Sequence, residues 1–286
     1  MKIAIASGKG GTGKTFVSTN LFYAAQSLKH SVCLVDCDAE EPNVAGFLSG
    51  EVISKITATQ KIPVFDTEKC TYCRKCSDYC EYNAIFVLPP AQFIKLTPEL
   101  CHSCGACLLA CEYNAITETD MPIGEITRFN YAQNGEIIEG RLFIGLERST
   151  ELIKLTQKAV SDNFEIVLYD SPPGTSCPFV TTVNNANAVL LVAEPTPFGL
   201  NDLKLSVEVL KTMNKPIFAI INKFGMGNNE VETYLNLQRI EILAKIPYTT
   251  QIAVEYSNGK IISQYNSTYK NIFEQAINRL CKQPTK

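Results

Sequence analysis

The sequence predicts an α/β protein with a mainly parallel sheet flanked by helices and a small inserted α+β domain. Short apolar runs alternate with helical stretches along most of the chain, which is typical of βαβ units. Between residues 61 and 118 this alternation stops, and a two-fold internal repeat replaces it. We therefore predict a discontinuous domain, 1–60 and 119–286, that surrounds an inserted domain at 61–118.

The predicted strands are short and apolar throughout, as strands buried on both faces of a parallel sheet should be. They are Ile3–Ala6, Val32–Val35, Ile166–Tyr169, Val189–Ala193, Ile217–Ile221 and Ile242–Ile246. Helical spacing of apolar residues predicts helices over Thr15–Lys29, Asn201–Met213 and Tyr269–Cys281. Gly124–Tyr131 and Arg141–Ile144 are predicted to form a hairpin that returns the chain to the sheet.

Length and composition exclude several classes of protein. The 286 residues are 45% hydrophobic, which is enough for a full core. A net charge of −3 argues against non-specific nucleic-acid binding, which needs a basic surface. No apolar run reaches the roughly 18 residues of a membrane span. The first residues run directly into a glycine-rich motif instead of a signal peptide, so we predict a cytoplasmic protein.

The glycine-rich motif lies between the first predicted strand and helix and reads G-K-G-G-T-G-K-T from Gly8 to Thr15. Glycines let the backbone curl so that its N–H groups face phosphates, and the following helix adds its positive end. Lys14 should reach the β- and γ-phosphates, and Thr15 should hold Mg²⁺. The same letters fit a dinucleotide-binding G-x-G-x-x-G pattern, but the Lys-Thr pair favours a nucleoside triphosphate. The predicted phosphate contacts are Gly10, Gly11, Thr12, Gly13, Lys14 and Thr15.

Eight of the twelve cysteines fall in two runs of identical spacing, C-x2-C-x2-C-x3-C. This spacing is typical of [4Fe–4S] clusters, whereas a zinc ribbon needs only two C-x2-C knuckles. A disulfide scaffold is disfavoured because the chain is long and rich in core residues. In two-cluster ferredoxins the fourth cysteine of each run binds the other cluster. The predicted ligand sets are Cys70, Cys73, Cys76 and Cys111 for one cluster, and Cys80, Cys101, Cys104 and Cys107 for the other.

The two cysteine runs belong to a repeat. Cys80–Ile85 matches Cys111–Ile116 letter for letter, which predicts two similar halves that pack together. Glu81 and Glu112 stand where ferredoxins usually have a proline after the fourth cysteine, a departure that affects local geometry.

Lys9, a second lysine directly after the first glycine of the motif, gives the chain a family resemblance. The motif resembles that of the deviant phosphate-loop ATPases, the group of MinD, ParA, Mrp and the nitrogenase iron protein. The resemblance implies an ATP-dependent homodimer in which Lys9 reaches the nucleotide of the partner. With its cysteine runs, the whole chain resembles a MinD-superfamily ATPase that carries an inserted ferredoxin domain.

The resemblance also assigns roles to residues that follow predicted strands. It implies that Asp38 orients or deprotonates the attacking water and that Asp36 supports Mg²⁺, both in the first switch. In the second switch, Asp170 would contact Mg²⁺ through water and Gly174 would donate its N–H to the γ-phosphate. Adenine would be read by Asn222, with Pro247 lining the base.

Four cysteines lie outside the runs. Cys177 follows the second switch, close to where the iron-protein relatives hold a bridging cluster, but its spacing differs and favours a buried free thiol. The same interpretation applies to Cys33, Cys37 and Cys281.

Together these features predict an ATPase with ATP or ADP, Mg²⁺ and two [4Fe–4S] clusters as cofactors, coupling nucleotide state to electron transfer with a redox partner protein. The first alternative is an iron–sulfur carrier of the Mrp type, which would deliver its clusters to an apo-acceptor protein. The second is a MinD-like regulatory switch that senses redox state.

Overall fold

A computed structural model describes residues 1–48, 50–132 and 134–282. The strands are β1 (Lys2–Ala6), β2 (Val32–Asp36), β3 (Glu51–Phe65), β4 (Ile85–Leu88), β5 (Phe93–Leu96), β6 (Ile116–Tyr131), β7 (Gly135–Leu142), β8 (Ile166–Asp170), β9 (Ala188–Ala193), β10 (Ile217–Phe224) and β11 (Glu241–Pro247). The helices are α1 (Lys14–Ser27), α2 (Lys75–Asp78), α3 (Ala106–Ala110), α4 (Ser149–Lys158), α5 (Cys177–Asn184), α6 (Pro197–Thr212), α7 (Glu230–Leu237), α8 (Thr250–Ser257), α9 (Ile262–Tyr265) and α10 (Ser267–Cys281).

The main sheet has the strand order β11-β10-β9-β1-β8-β2-β7-β6-β3. Neighbouring strands from β11 to β7 pair in parallel, which confirms the predicted α/β fold with a mainly parallel sheet. β1 lies between β8 and β9, and β2 lies beside β8. The carboxyl ends of these strands therefore meet at one edge, where parallel sheets bind ligands.

The six predicted strands are confirmed with small changes at their ends, but the predicted hairpin is partly wrong. Its first strand is the end of β6, whereas the second is Gly135–Leu142 instead of Arg141–Ile144. Gly135–Leu142 is largely buried and pairs in parallel with β2, while Ile144 is fully exposed. Burial against β2 therefore decides the position of this strand.

The core of the main sheet is closed on one side by α1 and α10. Phe16 and Phe22 of α1 are buried, and the ring of Phe16 meets that of Phe273 edge-on at 6.1 Å between centroids. Phe273 and Ile277 of α10 are fully buried, so α10 is a packing helix, as its apolar stripe predicts. Among the described residues, no helix combines the length and apolar character needed to cross a bilayer.

The chain divides into two compact units. The first comprises Met1–Ile56, Glu125–Arg141 and Ser149–Lys286, and the second comprises Thr57–Gly124 and Leu142–Arg148. The second unit therefore contains the predicted insertion, 61–118, together with short flanking segments and the separate stretch Leu142–Arg148.

The second unit is small. β4 and β5 form an antiparallel pair in which Ile85 lies opposite Leu96, while α2 and α3 each begin within one cysteine run. Its buried core is a cluster made by Cys76, Ile85, Val87 and Cys107. Two of the four members are thiols, so the cysteines themselves supply much of its interior.

Candidate functional site

The glycine-rich loop between β1 and α1 is held in shape by contacts from distant parts of the chain. The amide of Asn222 donates to the carbonyl oxygen of Thr12 at 2.7 Å. Gly13 has a φ of 96°, and a Cβ there would come within 2.3 Å of Nδ2 of Asn222. Only glycine both adopts this positive φ readily and leaves room for the Asn222 side chain. The loop is therefore tied to the end of β10, where Asn222 lies.

Thr15 and Asp170, the predicted Mg²⁺ residues, are in direct contact. The Thr15 hydroxyl donates to Oδ2 of Asp170 at 2.7 Å, and the Ser18 hydroxyl donates to Oδ1 at 2.9 Å. Asp170 is buried at the end of β8, and burial raises its pKa. A hydroxyl and a carboxylate meeting at the start of α1 form an oxygen donor set that suits Mg²⁺.

Asp36 lies opposite Asp170 in the register of β2 and β8, so the structure brings the two predicted aspartates together. The Asp36 carboxylate accepts hydrogen bonds from the backbone N–H groups of Asp38, Asn43 and Val44 at 3.1, 2.8 and 2.9 Å. Asp36 therefore organises the loop after β2, a role that the sequence interpretation missed.

Lys14 and Asp38 are charged groups in a partly desolvated site. Lys14 is buried, which lowers its pKa against the opposing effect of Asp170 and Asp38. Burial raises the pKa of Asp38 to about 6, although the charge of Lys14 acts in the other direction. Electrostatic interactions with a bound phosphate are stronger at such a site than in water.

Lys9 is engaged with its own chain in the structure. Its ammonium group forms an ion pair with Glu194, whose second carboxylate oxygen lies 2.9 Å from the ammonium of Lys223. Lys223 also donates to the carbonyl of Gly11 at 2.8 Å. Burial alone would raise the pKa of Glu194, but its bonds to the two lysines bring it below its ordinary value. Glu194 was not among the predicted site residues; its position directly after β9 places it at the ligand edge of the sheet.

A cavity of about 270 Å³ adjoins the glycine-rich loop. Asn222 and Pro247, the predicted base contacts, line it together with Gly11 and Gly13. The remaining walls are largely apolar or aromatic and include Phe16, Tyr248, Ile252 and Tyr256. A cavity with aromatic and apolar walls and a few polar side chains, here Asn222, Lys223 and Thr249, is suited to a flat heterocycle. The aromatic walls were not predicted, because they come from segments far apart in the sequence.

The two switch segments enclose a second cavity, of about 340 Å³, lined by Asp38, Glu40, Pro172, Ser176 and Ser149 among others. Gly174 has a φ of 89°, and its N–H donates to the carbonyl oxygen of Ser7 at 3.1 Å. Its predicted contact with a γ-phosphate therefore requires this bond to break.

The prediction that Cys177 is buried is wrong. Cys177 is exposed at the first residue of α5, because the helix starts where the second switch leaves the sheet. Cys33 and Cys37 are buried within and just after β2, as predicted, while Cys281 near the end of α10 is only partly buried.

The eight run cysteines surround two small cavities in the second unit. One is lined by Cys70, Cys73, Cys76 and Cys111, and the other by Cys80, Cys101, Cys104 and Cys107. The structure thus brings the fourth cysteine of each run to the cavity of the other run.

Backbone N–H groups point at three of these sulfurs. Tyr72, Ala84 and Ala115 donate to Cys70, Cys80 and Cys111 at 3.4, 3.3 and 3.4 Å. Burial raises the pKa of Cys76 and of Cys107 to about 11, so both thiols are protonated until a metal displaces the proton. Hydrogen bonds to sulfur and burial are two of the features that tune a bound iron–sulfur group.

Each cavity in the second unit is lined by four thiols. Within residues 1–48, 50–132 and 134–282, no three His, Cys, Asp or Glu side chains converge closely enough to hold a single metal ion. Zinc draws four sulfurs to about 2.3 Å from one point. Four cysteines line each cavity, and the second cavity is also lined by His102 and Glu118. Four cysteine thiolates are the ligand set that a [4Fe–4S] cluster takes.

Comparison with known proteins places this geometry in a family. Residues 3–262 match the family described as the CobQ/CobB/MinD/ParA nucleotide binding domain. The chain belongs to this family. The resemblance to MinD and ParA is thereby confirmed, and the glycine-rich loop is the P-loop of a family of nucleotide-binding ATPases.

Three similar proteins illustrate the range of names among the relatives of this chain. An uncharacterised protein of Methanocaldococcus jannaschii is 31% identical over 97% of both chains. The iron-sulfur cluster carrier protein of Pyrococcus abyssi is 24% identical over 98% of this chain and 86% of its own length. The septum site-determining protein MinD of Pyrococcus horikoshii, solved with Mg-ADP, shares the fold with a TM-score of 0.61, 19% identity and coverage of 98% and 96%.

Proposed function

We propose that this ATPase couples its nucleotide state to electron transfer through two [4Fe–4S] clusters held by an inserted ferredoxin-like domain, 61–118. The observation that carries the proposal is the pair of cavities, each lined by four cysteines from both runs. When bound, such clusters supply one-electron chemistry.

The nucleotide half of the proposal rests on P-loop geometry. Backbone N–H groups of Gly10–Gly13 would face the phosphates, and Lys14 would neutralise charge on the β- and γ-phosphates. Thr15 would ligate Mg²⁺, with Asp170 behind it and Asp36 supporting the site. Asp38 lines the cavity between the switches, a suitable position for orienting a water molecule.

A homodimer is part of this proposal. Lys9 would leave Glu194 and reach the nucleotide of a second copy, where its charge would act as an arginine finger does. Asn222 would contact adenine in the adjoining cavity, and Gly174 would turn its N–H from Ser7 to the γ-phosphate.

An iron–sulfur carrier is the second candidate, and a specific observation favours it. Two of the relatives, from Pyrococcus abyssi and Helicobacter pylori, are named iron-sulfur cluster carrier proteins and are each 24% identical to this chain. In a carrier the clusters are cargo, so at least one should be released readily. Here each cavity has four thiols, enough to ligate all four irons of a cluster, which favours retention.

Anaerobic reconstitution tests the proposal. The purified full chain is loaded with iron and sulfide, both are counted, and electron paramagnetic resonance is recorded after dithionite reduction, with and without MgATP. We expect about eight irons per chain and two [4Fe–4S] signals, at least one of which changes its midpoint potential with MgATP. Two signals indifferent to nucleotide, or zinc in place of iron, would contradict it.

Release of the clusters separates the two candidates. The loaded protein is mixed with an apo-ferredoxin, and iron on each protein is measured with and without MgATP. The electron-transfer proposal expects both clusters to stay on this chain. Transfer to the acceptor that depends on MgATP would support the carrier instead.

A further inference from the structure

We infer that Arg148 and Ser149 are the link through which nucleotide state reaches the second cysteine site, the one lined by Cys80, Cys101, Cys104 and Cys107. The inference rests on the proposed function and names its regulation. Arg148 acts as a positioning residue for Cys101, and Ser149 carries the displacement of the switches to it.

The Arg148 end of the link is a buried cation beside a cysteine. Arg148 is 7% exposed, and its guanidinium donates a hydrogen bond to the carbonyl oxygen of Cys101. Arginine stays charged at any physiological pH. Positive charge and hydrogen bonds near a cluster favour its reduced form, because reduction adds negative charge. The position of Arg148 therefore sets the potential of a cluster ligated by Cys101.

The Ser149 end of the link belongs to the nucleotide-dependent part of the chain. Ser149 is the residue after Arg148 and the first of α4. It lines the cavity that the two switch segments enclose, together with Asp38 of the first switch and Ser176 of the second. A rearrangement of either switch on nucleotide binding changes the wall that Ser149 completes.

Hydrogen bonds connect α4 to α5, the helix that begins where the second switch ends. The amide of Gln157 donates to the carbonyl of Thr182 at 3.1 Å and accepts from the amide of Asn185 at 2.7 Å. Leu152 and Ile153 on the same helix are fully buried. Because close-packed interiors resist compression and transmit strain, a shift of α5 displaces α4. One peptide bond then transmits that shift to Arg148.

Because Arg148 contacts the second site, the effect of nucleotide should be confined to one cluster. Coupling between two sites is also reciprocal. If MgATP changes the midpoint potential of the second cluster, the oxidation state of that cluster must change the affinity for MgATP by the same factor. A tenfold difference in affinity corresponds to about 59 mV for one electron.

The test compares wild type with three variants of the full, cluster-loaded chain. Arg148→Gln removes the charge, Arg148→Lys retains it, and a Gly-Gly insertion between residues 148 and 149 keeps Arg148 but loosens its connection to α4. Each is titrated potentiometrically with and without MgATP, and the second cluster is assigned as the signal altered by Cys104→Ser. Lys154→Gln, on the exposed face of α4, is the matched control.

We expect MgATP to shift the second potential in wild type, in Lys154→Gln and, in part, in Arg148→Lys. Arg148→Gln should lower the resting potential and abolish the shift, while the insertion should abolish the shift alone. Calorimetry should show that oxidised and reduced wild type differ about tenfold in MgATP affinity and that the insertion removes this difference.

The response of wild type to MgATP separates failure of the link from failure of the proposed function. If wild type responds to MgATP and both Arg148→Gln and the insertion respond equally, the link is wrong and the proposed function stands. If wild type itself does not respond, the proposed function fails, and the link fails with it. Should Arg148→Gln lose iron, the insertion variant decides the matter, because it keeps the contact with Cys101.

Discussion

The nucleotide site and the two cysteine sites are held together in different ways. In the nucleotide site the functional side chains already have partners in the chain, such as Thr15 with Asp170 and Asn222 with Thr12. The strands and helix that carry these side chains belong to a nine-stranded sheet with a large buried core. In the second unit, by contrast, two of the four residues of the buried cluster are themselves candidate ligands. The nucleotide site is therefore formed by its scaffold, whereas the stability of the second unit should depend on iron bound by its cysteines, as proposed above.

Removal of iron should have the largest effect and bears directly on this difference. An iron chelator should abolish protection from hydrogen exchange in Thr57–Gly124, because the iron that would cross-link the cysteines of the second unit is removed. The strands β1, β8 and β9 should keep their protection. Hydrogen exchange measured by mass spectrometry reports on both regions in one experiment. If the second unit stayed protected without iron, its stability would not depend on the metal and the two regions would not differ in this respect.

Phe273→Ala should destabilise the scaffold of the nucleotide site by about 3–5 kcal/mol, because a fully buried ring leaves a cavity. Urea unfolding followed by far-ultraviolet circular dichroism measures the loss. Iron content per folded chain should not change. Leu237→Ala, at an exposed position on α7, is the control and should have little effect. A parallel loss of iron would mean that the two regions do not form independently.

Lys14→Ala should lower ATP hydrolysis by about 10²–10³-fold, since a preorganised charge that stabilises the transferring phosphoryl group is lost. Steady-state phosphate release measures the change. The iron content should equal that of wild type, and Lys2→Ala, which alters an exposed lysine of β1, should hydrolyse normally. Hydrolysis within a fewfold of wild type would exclude Lys14 from the chemistry.

Glu194→Gln should have a moderate effect on dimerisation. It acts on Lys9, which in the proposed dimer leaves Glu194 for the nucleotide of the second copy. Weakening the ion pair frees Lys9, so ATP-dependent dimers should form at about two- to fivefold lower protein concentration. This change corresponds to a dimerisation free energy that is ~0.4–1 kcal/mol more favourable. Sedimentation velocity with MgATP measures the midpoint, with Glu208→Gln on α6 as control. An unchanged or higher midpoint would argue that Glu194 does not hold Lys9 back.

Lys75→Gln should have the smallest effect. Lys75 and Glu112 form an exposed ion pair, 2.5 Å apart, that joins the two cysteine runs. Because exposed pairs contribute little to stability, the melting temperature and iron content should match those of wild type within error. A clear loss of iron would indicate that surface contacts, as well as the cysteines, hold the second unit together.

The parts of this molecule that the sequence predicts are those with a local signal. Strands such as Ile166–Asp170 are apolar at every position, and the P-loop and cysteine runs have fixed spacings. β3 was missed because it is largely exposed, so its residues carry no continuous apolar pattern. Glu194 and Arg148 were missed for another reason: their partners, Lys9 and Cys101, lie 185 and 47 residues away. Nothing in a single sequence records such a pairing.

The exchange of fourth cysteines between the two cavities sets an order of events during protein synthesis. Cys111 lies 35 positions after Cys76, so at roughly 5–20 residues per second the ribosome takes about 2–7 s to complete the first set of four thiols. Only four positions separate Cys107 from Cys111, and the second set is therefore finished before the first. β8, which lies between β1 and β2 in the sheet, has not yet been made at that time. The nascent chain thus offers two complete sets of thiols while its nucleotide-binding sheet is still unfinished, so any cluster on the second unit could be assembled before the nucleotide site exists.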